Sequence, residues 1–445
     1  MPGKGNSTKK ISIVRHTRAV RRDRTKRVTA APPAQDIGKL LEELVQPATY
    51  TQVALYEQLG MRQRILNLPV MVAVVLSMLW RQIGGVSELV RTLRDEGLLW
   101  ADKAKVSQQA MSQRLRVFPP ALFYNVLMAV LPVMHHRWKE RTRPLPEAVA
   151  GALKHFESIQ ILDGSTLDVL LRQVGLLREA DRPVLAGRMG VLLDAASQLP
   201  HEIWYEEDSQ AHDQRFWEGA IARLKKGTLL LFDLGFINYP IFDQLTAAGV
   251  AFVTRAKANA AFKPVRILAH GKTFCDQIIR LGGKNGRCAY EMRLVQVLYQ
   301  GRWFRYLTNV LEPERLPTVY VAALYWQRWR IEDAFHAVKR LLGLAFFWAG
   351  SFNAIQVQVW STWLLYAVLV DLTDAVAERL HVPHRTVSLE MVYRGLYHYS
   401  QARHRGEADD PVAYLAERAD WLGVIKRQRR ETPEVLIRLT MARSP

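Results

Sequence analysis

The chain has 445 residues, enough for two or three domains and a sizeable core. Its 61 Lys and Arg outnumber 42 Asp and Glu, leaving a formal charge of +19 at pH 7 and a pI near 10.0. A cation of that size calls for a polyanion, nucleic acid first, although a ribosome-associated protein or a merely basic soluble enzyme shows the same balance. Cys275 and Cys288 are the only cysteines, with no CxxC and no Cys/His cluster at zinc spacing. Neither structural zinc nor a disulfide framework is indicated, and a reducing cytoplasm fits. The basic N-terminus lacks the apolar stretch of a signal peptide. The apolar runs Leu68–Trp80 and Val359–Val370 fall short of the ~20 residues that span a bilayer. Both read as buried helices, and no membrane association is expected.

In chain order, residues 1–35 form a polar, cationic arm crowded with Lys9, Lys10, Arg15, Arg18, Arg21, Arg22, Arg24, Lys26 and Arg27. Free of a partner such an arm reads as solvated coil; on DNA it gains order against phosphates. Residues 36–150 are predicted to be an all-helical DNA-binding domain, with apolar residues at helical spacing in Ile37–Leu44, Val70–Trp80 and Val86–Leu99. Ser107 is placed to cap a helix whose polar face carries Gln109, Gln113 and Arg114. Such side chains suit a helix laid into a major groove, and equally an ordinary amphipathic surface helix.

Near residue 155 the pattern turns to strands: Glu157–Leu162, Gly187–Asp194, His201–Tyr205, the continuous apolar run of Thr228–Phe232, and Val250–Arg255, with a helix over Tyr239–Ala248. This succession predicts an α/β domain, residues 151–395, around a mixed sheet. Residues 256–316, with strand-like Tyr290–Tyr299 and Trp303–Val310, read as a β-rich insertion within it, and residues 396–445 as a C-terminal helical region.

Two apolar strands run into Asp163-Gly-Ser-Thr and Asp233-Leu-Gly-Phe. Carboxylates at strand ends sit at the rim of a sheet, and hard divalent cations need such oxygens. A single aspartate there is more often a cap or turn residue. The helical stretch Tyr325–Lys339 is more specific. At ~100° per residue, Arg328, Glu332 and Lys339 fall near ~300°, ~340° and ~320° from Tyr325. One stripe about 60° wide thus carries a carboxylate, two cations and a phenol, while Trp329, Phe335 and Leu342 lie elsewhere and can pack. The rival is a surface helix with intrahelical Arg328–Glu332 pairing, which leaves the two aspartates unexplained.

Asp163-Gly-Ser-Thr, Asp233-x-Gly-Phe and Tyr325-x2-Arg328-x3-Glu332-x6-Lys339 together resemble the DDE transposases of the insertion-sequence-four type, over roughly residues 155–370. The resemblance implies an RNase H-like catalytic domain interrupted by the β-rich insertion. Asp163, Asp233 and Glu332 would be the catalytic residues and the ligands of two Mg²⁺ ions, with Mn²⁺ as a substitute. Arg328, Lys339 and Tyr325 would hold phosphate oxygens. It further implies double-stranded DNA partners (terminal inverted repeats and target DNA), a homodimer in the DNA complex, and a bacterial, nucleoid-associated setting. Trp303, the insertion's only tryptophan, is either a clamp for a flipped base or a core residue of a strand. The expected reaction is hydrolysis at an element's end followed by attack of the freed 3′-hydroxyl. A nuclease or resolvase that never joins strands, a catalytically idle DNA-binding inhibitor, and an RNA-binding protein remain alternatives.

Overall fold

The computed structural model describes residues 34–168, 185–283, 286–344 and 351–426. Nearly all of the basic arm lies outside them. Chain order begins with helices α1 (Ala34–Tyr50), α2 (Val53–Gln58), α3 (Leu68–Trp80), α4 (Val86–Asp95), α5 (Gln108–Val117), α6 (Pro120–Glu140) and α7 (Glu147–Ala152). Strands β1 (Ser158–Asp168), β2 (Leu185–Asp194) and β3 (Pro200–Glu206) follow, then a 3-10 turn (Asp213–Phe216) leading into α8 (Trp217–Arg223). Next come β4 (Thr228–Phe232), a 3-10 turn (Leu234–Phe236), α9 (Tyr239–Ala247) and β5 (Ala251–Arg255). Strands β6 (Phe262–His270), β7 (Phe274–Gly283), β8 (Gly286–Arg287), β9 (Met292–Tyr299) and β10 (Arg302–Thr308) complete the strand-rich part. The chain ends in α10 (Thr318–Gln327), α11 (Arg330–His336), a π turn (Ala337–Leu341), α12 (Phe352–Arg379), α13 (Leu389–His404), α14 (Pro411–Glu417) and α15 (Ala419–Leu422).

One sheet organises the molecule, in the order β3-β2-β1-β4-β5-β10-β9-β7-β6, with β8 paired to β7. β4 runs parallel to β1 and to β5, while every other pairing is antiparallel. The sequence of β4 explains its central place. All five residues are buried, Leu229 and Leu231 in the core on one face and Leu230 and Phe232 in the core on the other. Each such side chain contributes about 1.5–3 kcal/mol on burial, which favours a position with both faces covered. The β-rich stretch does not stand apart: β10 joins β5, so β6–β10 continue the same sheet.

The two cores differ in what covers them. Helices α8 and α9 close the smaller one, with Phe216, Trp217, Phe236, Phe242 and Phe252 packed together. The larger one gathers the N-terminal helices, α10, α11 and the C-terminal helices around α12. Residues of α3, α6, α12 and α13 share this single core, so the N-terminal helices are not a body with a core of its own. α12 is 28 residues long, against the shorter apolar run expected from Val359–Val370. By length and composition it is long and apolar enough to cross a membrane, but it is buried at the centre of the described residues. Two expected boundaries fall inside helices, 150/151 within α7 and 395/396 within α13.

Candidate active site at the end of the central sheet

The register of β1 and β4 sets the first two acids. Ser158 pairs with Thr228 and the ladder runs in parallel to Leu162 opposite Phe232. Asp163 and Asp233 come next on the two strands, about 4.8 Å apart in backbone as neighbouring strands require. Alternation puts both on the face of Ile159, Ile161, Leu229 and Leu231, the side on which α10–α12 pack. Asp233 ends its strand as expected. Asp163 does not, because β1 continues to Asp168 in antiparallel pairing with β2, beyond the end of β4.

The helical stretch opposite is not one helix. α10 ends at Gln327, and the chain then tightens: the amides of Arg328, Trp329, Ile331 and Glu332 donate to carbonyls three residues back. After α11 the backbone widens into the π turn that contains Lys339. The uniform ~100° advance behind the expected stripe therefore holds only in part. The side chains nevertheless reach the strand ends. The Tyr325 hydroxyl donates to Asp233 Oδ1 at 2.9 Å, and Arg328 Nη1 donates to Asp163 Oδ2 at 2.6 Å. Lys339 Nζ donates to Ser165 Oγ at 2.6 Å and to the Thr166 carbonyl at 2.5 Å. Phe335 and Leu342 are buried as expected, whereas Trp329 is 55% exposed and does not pack into the core. Arg328 lies over its ring, 5.2 Å from the centroid.

Charge is concentrated here. Burial pushes the Asp163 carboxyl up to about 7. Arg328 and the Gly164 amide, which donates to Oδ1 at 2.8 Å, pull it down, while Glu332 and Asp233 add to the rise. Burial, with the neighbouring Asp233, also raises Tyr325, whose phenol remains protonated as a donor. Glu332 is exposed on α11, close enough for its charge to be felt at Asp163. Three oxygen-only carboxylates, two of which add to the rise at Asp163, form a donor set that suits a hard divalent cation. Among the described residues, however, no three acidic, His or Cys side chains are already gathered closely enough to hold a metal. Arg328 occupies Asp163 instead, 4% exposed and so not presented to an incoming phosphate.

A second layer, invisible to motif reading, fixes the Asp233 loop from the other face of the sheet. Gln214 Nε2 donates to the Gly235 carbonyl at 2.7 Å and Trp217 Nε1 to the Phe236 carbonyl at 3.0 Å. Asp213, hydrogen-bonded to Arg188, is wedged between the glycines that follow the two candidate aspartates. A Cβ at Gly164 or Gly235 would lie 2.6 Å from one of its carboxylate oxygens. Glycine in both motifs thus reflects close approach. No spacing rule singles out Asp213 or Gln214; the aromatic Trp217 was the only sequence cue.

Other candidates sit apart from this rim. Trp303 is 49% exposed on β10 beside the hairpin turn Gln300-Gly301, both at positive φ, so the core reading of this residue is overturned. Beside the turn the strand pair has one face open to solvent, which leaves the indole uncovered. Ser107 does cap α5, accepting from the Ala110 amide at 3.1 Å. Gln109 and Gln113 are exposed, Gln113 accepting from Arg116, and Arg114 is half-buried against Met61. Residues 96–107 separate α4 from α5, longer than the short turn of a helix-turn-helix. Asp243, near the true candidates in sequence, is an ordinary cap: its carboxylate accepts from the Ala289 and Tyr290 amides.

Comparison with known proteins bears on this geometry. Residues 155–368 match the family model described as "Transposase DDE domain". That stretch holds both aspartates, Glu332 and Lys339, and is similar to a transposase DDE domain. A Sinorhizobium fredii (strain NBRC 101917 / NGR234) protein named "Putative transposase y4zB" is 29% identical over 191 residues, which cover 41% of this chain. The match spans 52% of that relative's length. Among solved structures, the cryo-EM structure of the piggyBac transposase synaptic complex with hairpin DNA matches with a TM-score of 0.42 and 12% identity, covering 89% of this chain and 85% of that one.

Proposed function

We propose that this protein is a transposase of the insertion-sequence-four type that cleaves double-stranded DNA at the inverted repeats of its element and transfers the freed strands into target DNA. The observation that carries the reading is the parallel β1–β4 register, which sets Asp163 and Asp233 side by side facing the helix of Glu332. The order β3-β2-β1-β4-β5, an antiparallel meander followed by parallel strands, supports an RNase H-like catalytic core extended by β6–β10. The +19 charge supports DNA as the substrate.

Asp163, Asp233 and Glu332 would hold two Mg²⁺ ions, or Mn²⁺ in their place. When bound, the ions supply a polarised scissile phosphate and an activated water or 3′-hydroxyl. The protein's own groups prepare the site. Tyr325 fixes the Asp233 carboxylate, and Arg328 balances the charge of Asp163. Lys339 brings a cation to the rim beside Ser165, where it favours a phosphodiester. Hydrolysis breaks one P–O bond and frees a 3′-hydroxyl, whose oxygen then attacks a second phosphodiester and displaces that strand's own 3′-oxygen as a hydroxyl, either in the opposite strand, giving a hairpin, or in target DNA. Exposed Trp303 suits a base-stacking role and Gln109 and Gln113 a groove-reading one. A homodimer would bring two ends together in the bacterial cytoplasm.

Incubation of the protein with labelled end DNA, a target plasmid and Mg²⁺ tests the reading. Joined products are expected, and they should vanish with Asp163→Ala, Asp233→Ala or Glu332→Ala while DNA binding persists. Cleavage without joining would demote the protein to a nuclease or resolvase, and binding alone to an inhibitor.

A further inference from the structure

Behind the catalytic helix lies a cavity of about 80 Å³ that the reaction does not use. α11 presents two faces. Arg330, Ala334 and Ala337 line the cavity, while Glu332 projects about 150° away around the helix. The remaining wall comes from distant segments, including Ala195 and Ala196 after β2, Tyr366 of α12, His384 and Lys426. Its polar character is lopsided. Arg330, Arg385, Lys426 and His384 face a single acidic lining residue, Asp333, which is itself paired with Arg330 at 3.3 Å.

His384 is the second, independent observation. Its Nε2 is buried without a hydrogen-bond partner, a costly state for a ring nitrogen. Burial holds its pKa down to about 3, helped by the positive charges of Lys426, Arg143, Arg330 and Arg141. Arg141 and Arg143 are neutralised by Asp371 and Asp374, so the charge that bears on His384 from the cavity side is that of Lys426 and Arg330, offset in part by Asp333. A buried ring nitrogen, which donates in the Nε2–H tautomer, ringed by cations is the environment a compact oxyanion satisfies, because one anion accepts from several N–H groups at once.

We propose that this cavity is a phosphate-binding site, in which a phosphate group is held by Arg330, Lys426 and His384 on the face of the catalytic helix opposite Glu332. The phosphate is either that of a DNA backbone or a free inorganic or nucleotide phosphate. Occupancy ties α11 to the segments around His384 and Lys426, and so links the site to the placement of Glu332.

Thermal unfolding and calorimetric titration of the full chain with inorganic phosphate, exchanged for chloride at constant ionic strength and pH 7, test the proposal. A saturable rise in Tm is expected, with apparent affinity at least tenfold weaker in Arg330→Gln and in Lys426→Gln. Lys426 is exposed, so its variant keeps the test usable if Arg330→Gln misfolds. No phosphate-specific shift, or the same phosphate dependence in both variants as in the parent, overturns the proposal, since general screening of a basic chain would behave so. Binding of a labelled duplex then identifies the source. Competition by phosphate together with weaker duplex binding by Lys426→Gln assigns a DNA phosphate, whereas unchanged duplex binding assigns the free anion. Neither result depends on strand cleavage.

Discussion

The three acidic side chains at the sheet end are held in two different ways. Asp163 and Asp233 ride on β1 and β4, whose ladder fixes them relative to each other. Glu332 rides on α11, seven residues long, between a tightened turn and a π turn. A packed sheet resists displacement, whereas irregular helical turns readily exchange one hydrogen-bond pattern for another. The contrast explains why the carboxylates sense one another without forming a closed ligand set. Closing the set calls for movement of α11 while the strands stay still.

The largest expected effect tests that contrast directly. Alanine at any of the three acids should lower cleavage by about three orders of magnitude or more, as for other groups acting in the transition state. Lengthened or shortened carboxylates separate the two mounts. Asp233→Glu should be nearly as damaging as alanine, while Glu332→Asp should keep activity within roughly tenfold, about 1.4 kcal/mol. Equal losses in a single-turnover assay would break the comparison.

The next effect concerns the root of α10. Arg293 of β9 and Asp276 of β7 form a fully buried pair, and Arg293 also donates to the Leu316 carbonyl at 2.7 Å and to Thr318 at 3.2 Å. They moor the helix of Tyr325 to the extended sheet. Arg293→Met leaves Asp276 buried and without its cation, and should cost about 3–5 kcal/mol in urea unfolding. A cost under about 1 kcal/mol would mean that α10 has no such mooring.

A smaller effect lies behind α11. His384 is neutral in the folded protein, with a pKa near 3, and free to protonate near its ordinary value once unfolded. Its folded pKa is depressed, so the unfolded state binds the extra proton and stability falls as pH drops below about 6.5 toward 3. Between pH 6.5 and 5 in chloride buffer this amounts to about 2 kcal/mol. His135, depressed chiefly by burial, acts in the same direction, so the readout is the difference between parent and His384→Gln. Identical pH slopes would remove His384 from this role. The smallest effect is that of Trp303→Ala, which should change stability by no more than about 0.5 kcal/mol because the side chain is largely exposed. If the indole stacks on a base, the variant should bind end DNA more weakly at unchanged Tm.

Much of this was legible beforehand, and unevenly. β4 is found over the predicted residues, because burial on both faces selects its four apolar side chains and leaves only Thr228, whose hydroxyl meets that of Ser158, as a polar position. Ser107 announced its helix because a capping hydroxyl has one geometric job. Strands β6 and β7 went unnamed: β6 is a largely exposed edge strand, and β7 buries the polar Asp276 and Gln277 beside its apolar residues, so neither alternates cleanly. The break at Arg328–Trp329 could not be seen, because those residues keep helical dihedrals while their hydrogen bonds change partner.

The sequence by itself determined which residues could do chemistry: two aspartates after apolar strands, and a tyrosine, arginine, glutamate and lysine at helical spacing. Residue type and local periodicity carry that information because they report on neighbours within a few positions. Only the tertiary structure decided that β1 and β4 lie side by side and that Arg328 is spent on Asp163. It also placed Asp213 behind both glycines and joined the N-terminal helices to the C-terminal ones in one core around α12. Those outcomes depend on contacts between residues tens to hundreds of positions apart. The packing that selects them is a property of the whole fold and not of any local stretch of chain.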